Sequence, residues 1–132
     1  MSLLENYTKQ DLITKIGAQT IPTIIYGAGV SGQALFFACR ESGIEVVGFC
    51  DNNIKKKGKS LLDIEIIHTD DIKSRFPNAN WLIASADITD IRDHLIDYGY
   101  DETNLYPGAT LLRDYNLENF SKHYESYNEE DN

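Results

Sequence analysis

The chain has 132 residues, 42% of them hydrophobic, and a formal net charge of −9. This length and composition predict one domain with an ordinary buried core. Because nonspecific binding to DNA or to anionic membranes depends on Lys and Arg, the negative charge leads us to expect no nucleic acid and no membrane among the partners. An anionic ligand would need a local site.

Three features of the sequence favour a cytoplasmic location. No apolar segment approaches the roughly 18 residues that a membrane span needs. Glu5 and Asp11 lie where a secretory signal would be apolar. Cys39 and Cys50 give no disulfide framework and are typical of reduced thiols in a core.

The first predicted element is an amphipathic helix over residues 3–16, in which apolar residues recur at roughly helical spacing. A short apolar segment, Thr23–Tyr26, follows and is typical of a strand in the middle of a parallel sheet. A glycine-rich turn comes directly after this strand. The next segment, residues 30–42, is predicted to be a helix that ends at Gly43, a common left-handed cap.

The rest of the core alternates between predicted strands and predicted helices. The further strands are expected at residues 45–50, 64–67, 81–86 and 104–106, and the helices at 69–76 and 88–98. This alternation predicts an α/β fold of the Rossmann-like type, with three layers (α/β/α) and a parallel sheet of about five strands in the order 3-2-1-4-5.

Three segments make up the predicted domain organisation. Residues 1–21 are assigned to the N-terminal helix and its lead-in, and residues 22–113 to the Rossmann-like core. The acidic residues 114–132 are predicted to form a helix that continues into a polar tail.

The glycine turn fits the pattern Gly-x-Gly-x-x-Gly and lies between a predicted strand and a predicted helix, as a dinucleotide-binding turn requires. Its first glycine would allow the tight turn, its second a close approach of the backbone to phosphates, and its third close packing of helix on strand. Free amides at the start of the helix would attract the anion. The predicted phosphate-binding residues are Gly27, Ala28, Gly29, Val30, Ser31 and Gly32. A turn that merely connects the strand to the helix is the alternative.

Asp51 stands at the end of the second predicted strand, about 20 positions after Gly32, which is the spacing of an acid that binds ribose hydroxyls. A carboxylate there would repel a 2′-phosphate, so a bound dinucleotide would be NAD rather than NADP. The alternative is a turn residue beside Asn52 and Asn53. Lys55, Lys56 and Lys57 just beyond could attract a phosphate, which leaves NADP as an alternative, but such a cluster is more typical of a solvated loop than of a ligand site.

Ser85, Ala86 and Asp87, at the end of the fourth predicted strand, should face a ligand crevice, because ligands of open α/β sheets bind at the carboxyl ends of the strands. Ser85 has no evident base partner. His68, His94 and His123 lie at no metal-ligand spacing. The sequence therefore predicts a binding site with no catalytic residues and no metal.

Four segments together resemble a known family, namely residues 25–29, 47–52, 58–59 and 64–67. They are similar to a Rossmann-like, sugar-nucleotide-associated domain of bacterial polysaccharide biosynthesis. It occurs at the N-terminus of sugar-nucleotide N-acetyltransferases, of nucleoside-diphosphate-sugar epimerases and dehydratases, and of some FkbM-type methyltransferases. The resemblance covers residues 23–107.

In the acetyltransferase relatives, the glycine turn and an acidic pair after the second strand lie around a UDP-sugar, which implies such a role here for residues 27–32, Asp51 and Asn52. This chain departs from the pattern twice. Asn52 replaces the second acid that relatives often have, which leaves the choice between UDP-sugar and NAD open. Asp63 stands where a Gly usually precedes the third strand.

The leading hypothesis is a module that binds a nucleotide or nucleotide-sugar in polysaccharide or glycan biosynthesis, as the N-terminal domain of a larger enzyme. Such a module would present UDP-sugar or NAD to a catalytic domain or a partner chain. One alternative is an NAD-binding fragment of an NDP-sugar epimerase, a dehydratase or another oxidoreductase. The other is a non-catalytic domain that forms a homo-oligomeric scaffold.

Overall fold

The central strand of the sheet, β1 (Thr23–Tyr26), is buried along its whole length in the computed structural model, which describes residues 8–85 and 87–113. Five more strands complete the sheet: β2 (Val46–Asp51), β3 (Ser60–Leu61), β4 (Ile64–His68), β5 (Asn80–Ile83) and β6 (Leu105–Pro107). Their order is β3-β4-β2-β1-β5-β6. All neighbours run parallel except the pair β3 and β4, which is antiparallel.

The observed order contains the predicted order 3-2-1-4-5 as β4-β2-β1-β5-β6, so the α/β fold class is confirmed. The additional strand, β3, pairs with β4 through a two-residue turn. Both turn residues, Leu62 and Asp63, have positive φ, at 55° and 65°. Such turns usually carry Asn or Gly, and Asp also tolerates this conformation. Asp63, which stands where the similar family usually has glycine, thus lies at a position with left-handed backbone.

In the described part of the chain, four α-helices flank the sheet: α1 (Lys9–Gly17), α2 (Val30–Glu41), α3 (Ile72–Arg75) and α4 (Ile88–Asp97). Helix α1 begins at a capping box, in which the Thr8 hydroxyl accepts from the Asp11 N–H and the Asp11 carboxylate accepts from the Thr8 N–H. This cap explains why the helix begins at Lys9. The helix predicted at 69–76 is divided into a 3-10 turn (Thr69–Asp71) and the four-residue α3, so that prediction was too long.

Successive residues of the strands pack against opposite layers, as the pleat requires. Ile25 belongs to the apolar cluster with Leu12 of α1 and Leu35 of α2. Ile24 belongs to the cluster on the other face, which includes Leu95 of α4. The sheet is therefore the middle of three layers.

The division into residues 1–21, 22–113 and 114–132 stays a prediction. The N-terminal residues 1–7, Ala86 and the predicted C-terminal helix at 114–132 lie outside the described residues. Among the helices that are described, none has the length and apolar character needed to cross a bilayer.

The two cysteines give a first prediction. Both are free and buried, and burial raises the pKa of Cys39 to about 12 and the pKa of Cys50 above its usual range. Because the thiolate is the nucleophile, we expect neither residue to react with a thiol reagent at pH 8 in the native state. Denaturation in urea should expose both. Rapid labelling of the native protein would contradict this burial.

Candidate functional site

The glycine turn connects the end of β1 to the start of α2, and its first residue requires glycine. Gly27 has φ of +112°, a conformation that L side chains rarely adopt. Its N–H donates to the Cys50 carbonyl oxygen at 2.7 Å, which prolongs the pairing of β1 with β2. The turn therefore leaves the sheet at a fixed point.

The third glycine of the pattern is required by packing. A Cβ on Gly32 would lie 1.9 Å from the Gly27 carbonyl oxygen and 2.9 Å from its carbonyl carbon. These are backbone atoms, so a side chain would push α2 away from the turn. Gly32 thus has the position that close helix-strand packing demands.

The second glycine differs from the other two. Gly29 has φ of −101°, which any residue can adopt, and no described atom beyond its neighbours lies within 4 Å of where its Cβ would stand. Neither backbone strain nor packing therefore explains a glycine here. Its effect is to leave the backbone at the start of α2 open to approach.

Helix α2 begins without a side-chain cap. Gly29 is its N-cap residue and offers no side-chain acceptor, and its first turn contains no acidic residue. The first N–H groups of a helix have no partners within the helix, and they form the positive end of its dipole. Val30 and Ser31 are exposed. The start of α2 is therefore accessible and suited to an anion.

Asp51, at the end of β2, is hydrogen-bonded to the glycine turn. Its Oδ2 accepts from the Ala28 N–H at 3.0 Å, and its Oδ1 accepts from the Asn53 N–H at 2.8 Å. The second bond closes a local turn of the Asx type. Asp51 therefore has the structural role that was the alternative in the sequence analysis, while the ribose-binding role stays a prediction.

Lys56 also contacts the glycine turn, which the sequence reasoning missed. Lys56 is the last residue of a 3-10 turn (Ile54–Lys56) whose N-cap is Asn53. The Asn53 side chain accepts from the Lys55 N–H. From there, Lys56 Nζ donates to the Ala28 carbonyl oxygen at 3.3 Å and lies 3.8 Å from Asp51 Oδ2. Lys57, in contrast, pairs with Asp71 at 3.0 Å. The lysine cluster is thus not uniformly solvated.

The loop that contains Asn52 is held by the end of β4. Asn52 is exposed, and its carbonyl oxygen lies 3.2 Å from His68 Nε2. His68 Nδ1 accepts from the Asp70 N–H at 3.2 Å, so the hydrogen bonds assign the ring proton to Nε2. The backbone carbonyl of Asn52 therefore has a partner within the fold, and Asn52 is also one of the residues that line a cleft.

That cleft, of about 340 Å³, opens at the carboxyl ends of β1, β2 and β5. It is lined by Tyr26, Gly27, Asp51, Asn52, Ser85, Asp87, Asp90, Ile91 and His94. In an open α/β sheet, ligands bind at this edge, where neighbouring strands lead to helices on opposite faces. A second cleft, of about 360 Å³, lies at the amino ends of β1 and β2, and none of its described lining residues belongs to the glycine turn.

The cleft is rich in hydrogen-bond acceptors. Asp51, Asp87 and Asp90 line it, and no Lys or Arg is among the described residues that line it. Burial raises the pKa of Tyr26 to about 12, so its hydroxyl is protonated at neutral pH. The cleft therefore suits an uncharged group that carries O–H or N–H donors, and it disfavours a second anion.

Asp90 and His94 of α4 were not predicted as site residues, whereas Asp87, the N-cap residue of this helix, was expected at the crevice together with Ser85. Asp87, Asp90 and His94 recur about every three to four positions, so they lie on one side of α4 and its N-cap, but residue spacing alone does not show that this side adjoins Asp51. Ser85 Oγ accepts from the Asp87 N–H at 3.1 Å. Ala86, also predicted for this site, lies outside the described residues. Within those described, no group of three or more His, Cys, Asp or Glu could hold a metal ion.

A family model described as C2185-like, N-terminal, matches residues 21–106 of this chain. The search of curated proteins found none significantly similar to this chain. RSP, a Rex-family repressor, has a similar structure, with a TM-score of 0.47 and 24% identity over 69% of this chain and 47% of the repressor. This chain thus matches about half the length of that protein.

Two further solved structures are similar. One is RSP in complex with β-NAD+ and operator DNA, with a TM-score of 0.47, 24% identity and coverage of 69% of this chain and 46% of RSP. The other is UDP-D-quinovosamine 4-dehydrogenase from Vibrio fischeri, with a TM-score of 0.46 and 21% identity over 60% of this chain and 70% of the dehydrogenase.

The operator-DNA complex of RSP corrects one expectation. From net charge we expected no nucleic acid among the partners, yet a protein of similar structure is in complex with DNA. Net charge sums over the whole chain, whereas DNA binding depends on where positive charge is concentrated. Net charge alone therefore does not exclude nucleic acid, and that expectation was wrong.

The geometry of the turn predicts that Gly32→Ala destabilises the protein. The new Cβ would collide with the Gly27 carbonyl, and we expect a loss of about 1–3 kcal/mol of unfolding free energy, measured by urea denaturation. Gly17→Ala is the matched control, because no atom of the described residues lies within 4 Å of its Cβ position. We expect it to change stability by less than about 1 kcal/mol. Equal effects of the two substitutions would refute the close-packing role of Gly32.

Proposed function

The chain belongs to the C2185-like, N-terminal family, and we propose that it binds a nucleotide diphosphate ligand of the UDP-sugar or NAD type. The observation that carries this proposal is the bare backbone of Gly29 at the uncapped start of α2. Packing and φ require glycine at the first and third positions of the motif, but neither requires it at the second. Close approach of a ligand to the backbone would explain why the second position is glycine.

The phosphates would bind at the start of α2. The N–H groups there lack partners within the helix, and the helix dipole adds about half a positive charge. The Ser31 hydroxyl, which is exposed, would offer one more donor. A side chain at position 29 would occupy the space through which the phosphates approach.

The nucleoside or sugar end would lie in the adjoining cleft. Its carboxylates, Asp51 and Asp87 among them, accept from hydroxyl groups, and the Asn52 side chain offers both a donor and an acceptor. Each Asp51 oxygen takes one backbone N–H, which leaves acceptor capacity for a ribose hydroxyl. NAD and UDP-sugars share a diphosphate beside a ribose diol, so the same groups serve both.

We further propose that the reaction takes place outside this chain, in another domain or chain of an enzyme of polysaccharide or glycan biosynthesis. Among the described lining residues, Ser85 carries the one hydroxyl that is not a phenol, and its oxygen already accepts from the Asp87 N–H. No described hydrogen bond joins this hydroxyl to His94, the imidazole of the cleft. This chain would then hold and present the ligand.

Ligand titration tests the proposal. We expect UDP, a UDP-sugar or NAD+ to bind in calorimetric or NMR titrations, with the tighter of these ligands deciding between the two types. Gly29→Leu should lower affinity at least about tenfold, because the side chain blocks the approach to the amides. Its N-cap position predicts a stability loss of no more than about 1–2 kcal/mol.

Gly17→Leu is the control for this substitution, because position 17 is equally open and lies at the end of α1. It should leave affinity unchanged. Absence of binding by all three ligands at millimolar concentration would refute the proposal and would favour a scaffold role.

A further inference from the structure

Lys56 is the cation that the fold brings to the glycine turn. The chain carries a net charge of −9, and the neighbouring cleft is lined by three aspartates. Both would repel a diphosphate. Yet Lys56 Nζ lies 3.3 Å from the carbonyl oxygen of Ala28, and Ala28 is two positions before the first residue of α2.

The contacts of Lys56 leave part of its hydrogen-bonding capacity unused. An ammonium group has three N–H donors, and one of them serves the Ala28 carbonyl. The distance from Nζ to Asp51 Oδ2 is 3.8 Å, well beyond the 2.7–2.9 Å of a charge-assisted hydrogen bond. The Lys56 side chain is 28% exposed, so it is not sealed within the fold.

Asp51 does not need Lys56 as its main partner. Both carboxylate oxygens already accept from backbone N–H groups, at 3.0 Å from Ala28 and 2.8 Å from Asn53. The carboxylate would remain bound if Nζ moved a short distance. Lys56 can therefore turn toward a new acceptor without leaving Asp51 unpaired.

We propose that Lys56 binds the ligand's diphosphate directly and makes the site selective for nucleotides over nucleosides. This rests on the proposed function, since it assigns a residue to the same site. The α2 amides supply donors with only a partial charge, and Lys56 supplies the full positive charge that the aspartate-lined cleft lacks. On binding, Nζ exchanges its distant contact with Asp51 for a phosphate oxygen, while Asp51 continues to hold the turn.

The test compares each nucleotide with its own nucleoside, UDP with uridine and NAD+ with adenosine, by NMR titration of wild type, Lys56→Gln and Lys55→Gln. We expect Lys56→Gln to weaken nucleotide binding about tenfold, the loss of one charge-assisted hydrogen bond, and to leave nucleoside binding unchanged. The salt dependence of nucleotide affinity should also become shallower. Lys55→Gln, in the same 3-10 turn, should alter neither the nucleotide affinity nor its salt dependence. Lys56→Arg should retain most of the nucleotide affinity.

Other outcomes would overturn the proposal. Equal losses for nucleotide and nucleoside in Lys56→Gln would mean that Lys56 only supports the turn. A loss confined to NADP+, with NAD+ unaffected, would place Lys56 at a 2′-phosphate instead. Wild-type binding of nucleotides with no effect of Lys56→Gln would refute this inference alone, whereas no wild-type binding would refute the proposed function with it.

Discussion

The hydrogen bond from the Ala28 N–H to the Asp51 carboxylate is the constraint on which the candidate site depends. It joins the turn after β1 to the loop after β2, two segments that adjoin because their strands are paired. The second oxygen of Asp51 holds the Asn53 N–H, and Asn53 in turn begins the 3-10 turn that carries Lys56. One carboxylate thus sets the relative positions of the first amides of α2, the cleft and Lys56.

Local pattern was sufficient for most of the fold. The apolar segment of β1, the glycines after it and the helical spacing of α2 are contiguous, so short-range chemistry specifies the unit. The small strand β3 was missed because its turn, Leu62-Asp63, lacks the glycine or asparagine that usually marks such a hairpin. The helix predicted at 69–76 was too long because a 3-10 turn replaces its first part.

The site was less predictable, because its parts meet only through tertiary structure. The glycine motif and Asp51 have a known spacing and could be proposed from the sequence. The reach of Lys56 back to Ala28 depends on the direction of a 3-10 turn, and no periodicity encodes it. Asp87 and His94 join the cleft because β5 lies beside β1. Residue spacing identified the turn, whereas strand order determined its neighbours.

The two outermost strands restrict how copies of this chain can associate. A long, flat edge strand invites another chain to extend the sheet, and such extension is a common route to aggregation. Here one margin ends in the two-residue β3, and the other in the three-residue β6, whose last residue is Pro107 and has no N–H to donate. Each margin offers little backbone to an incoming strand. Self-association, where it occurs, is thereby directed to the helical faces, away from continuous sheet growth.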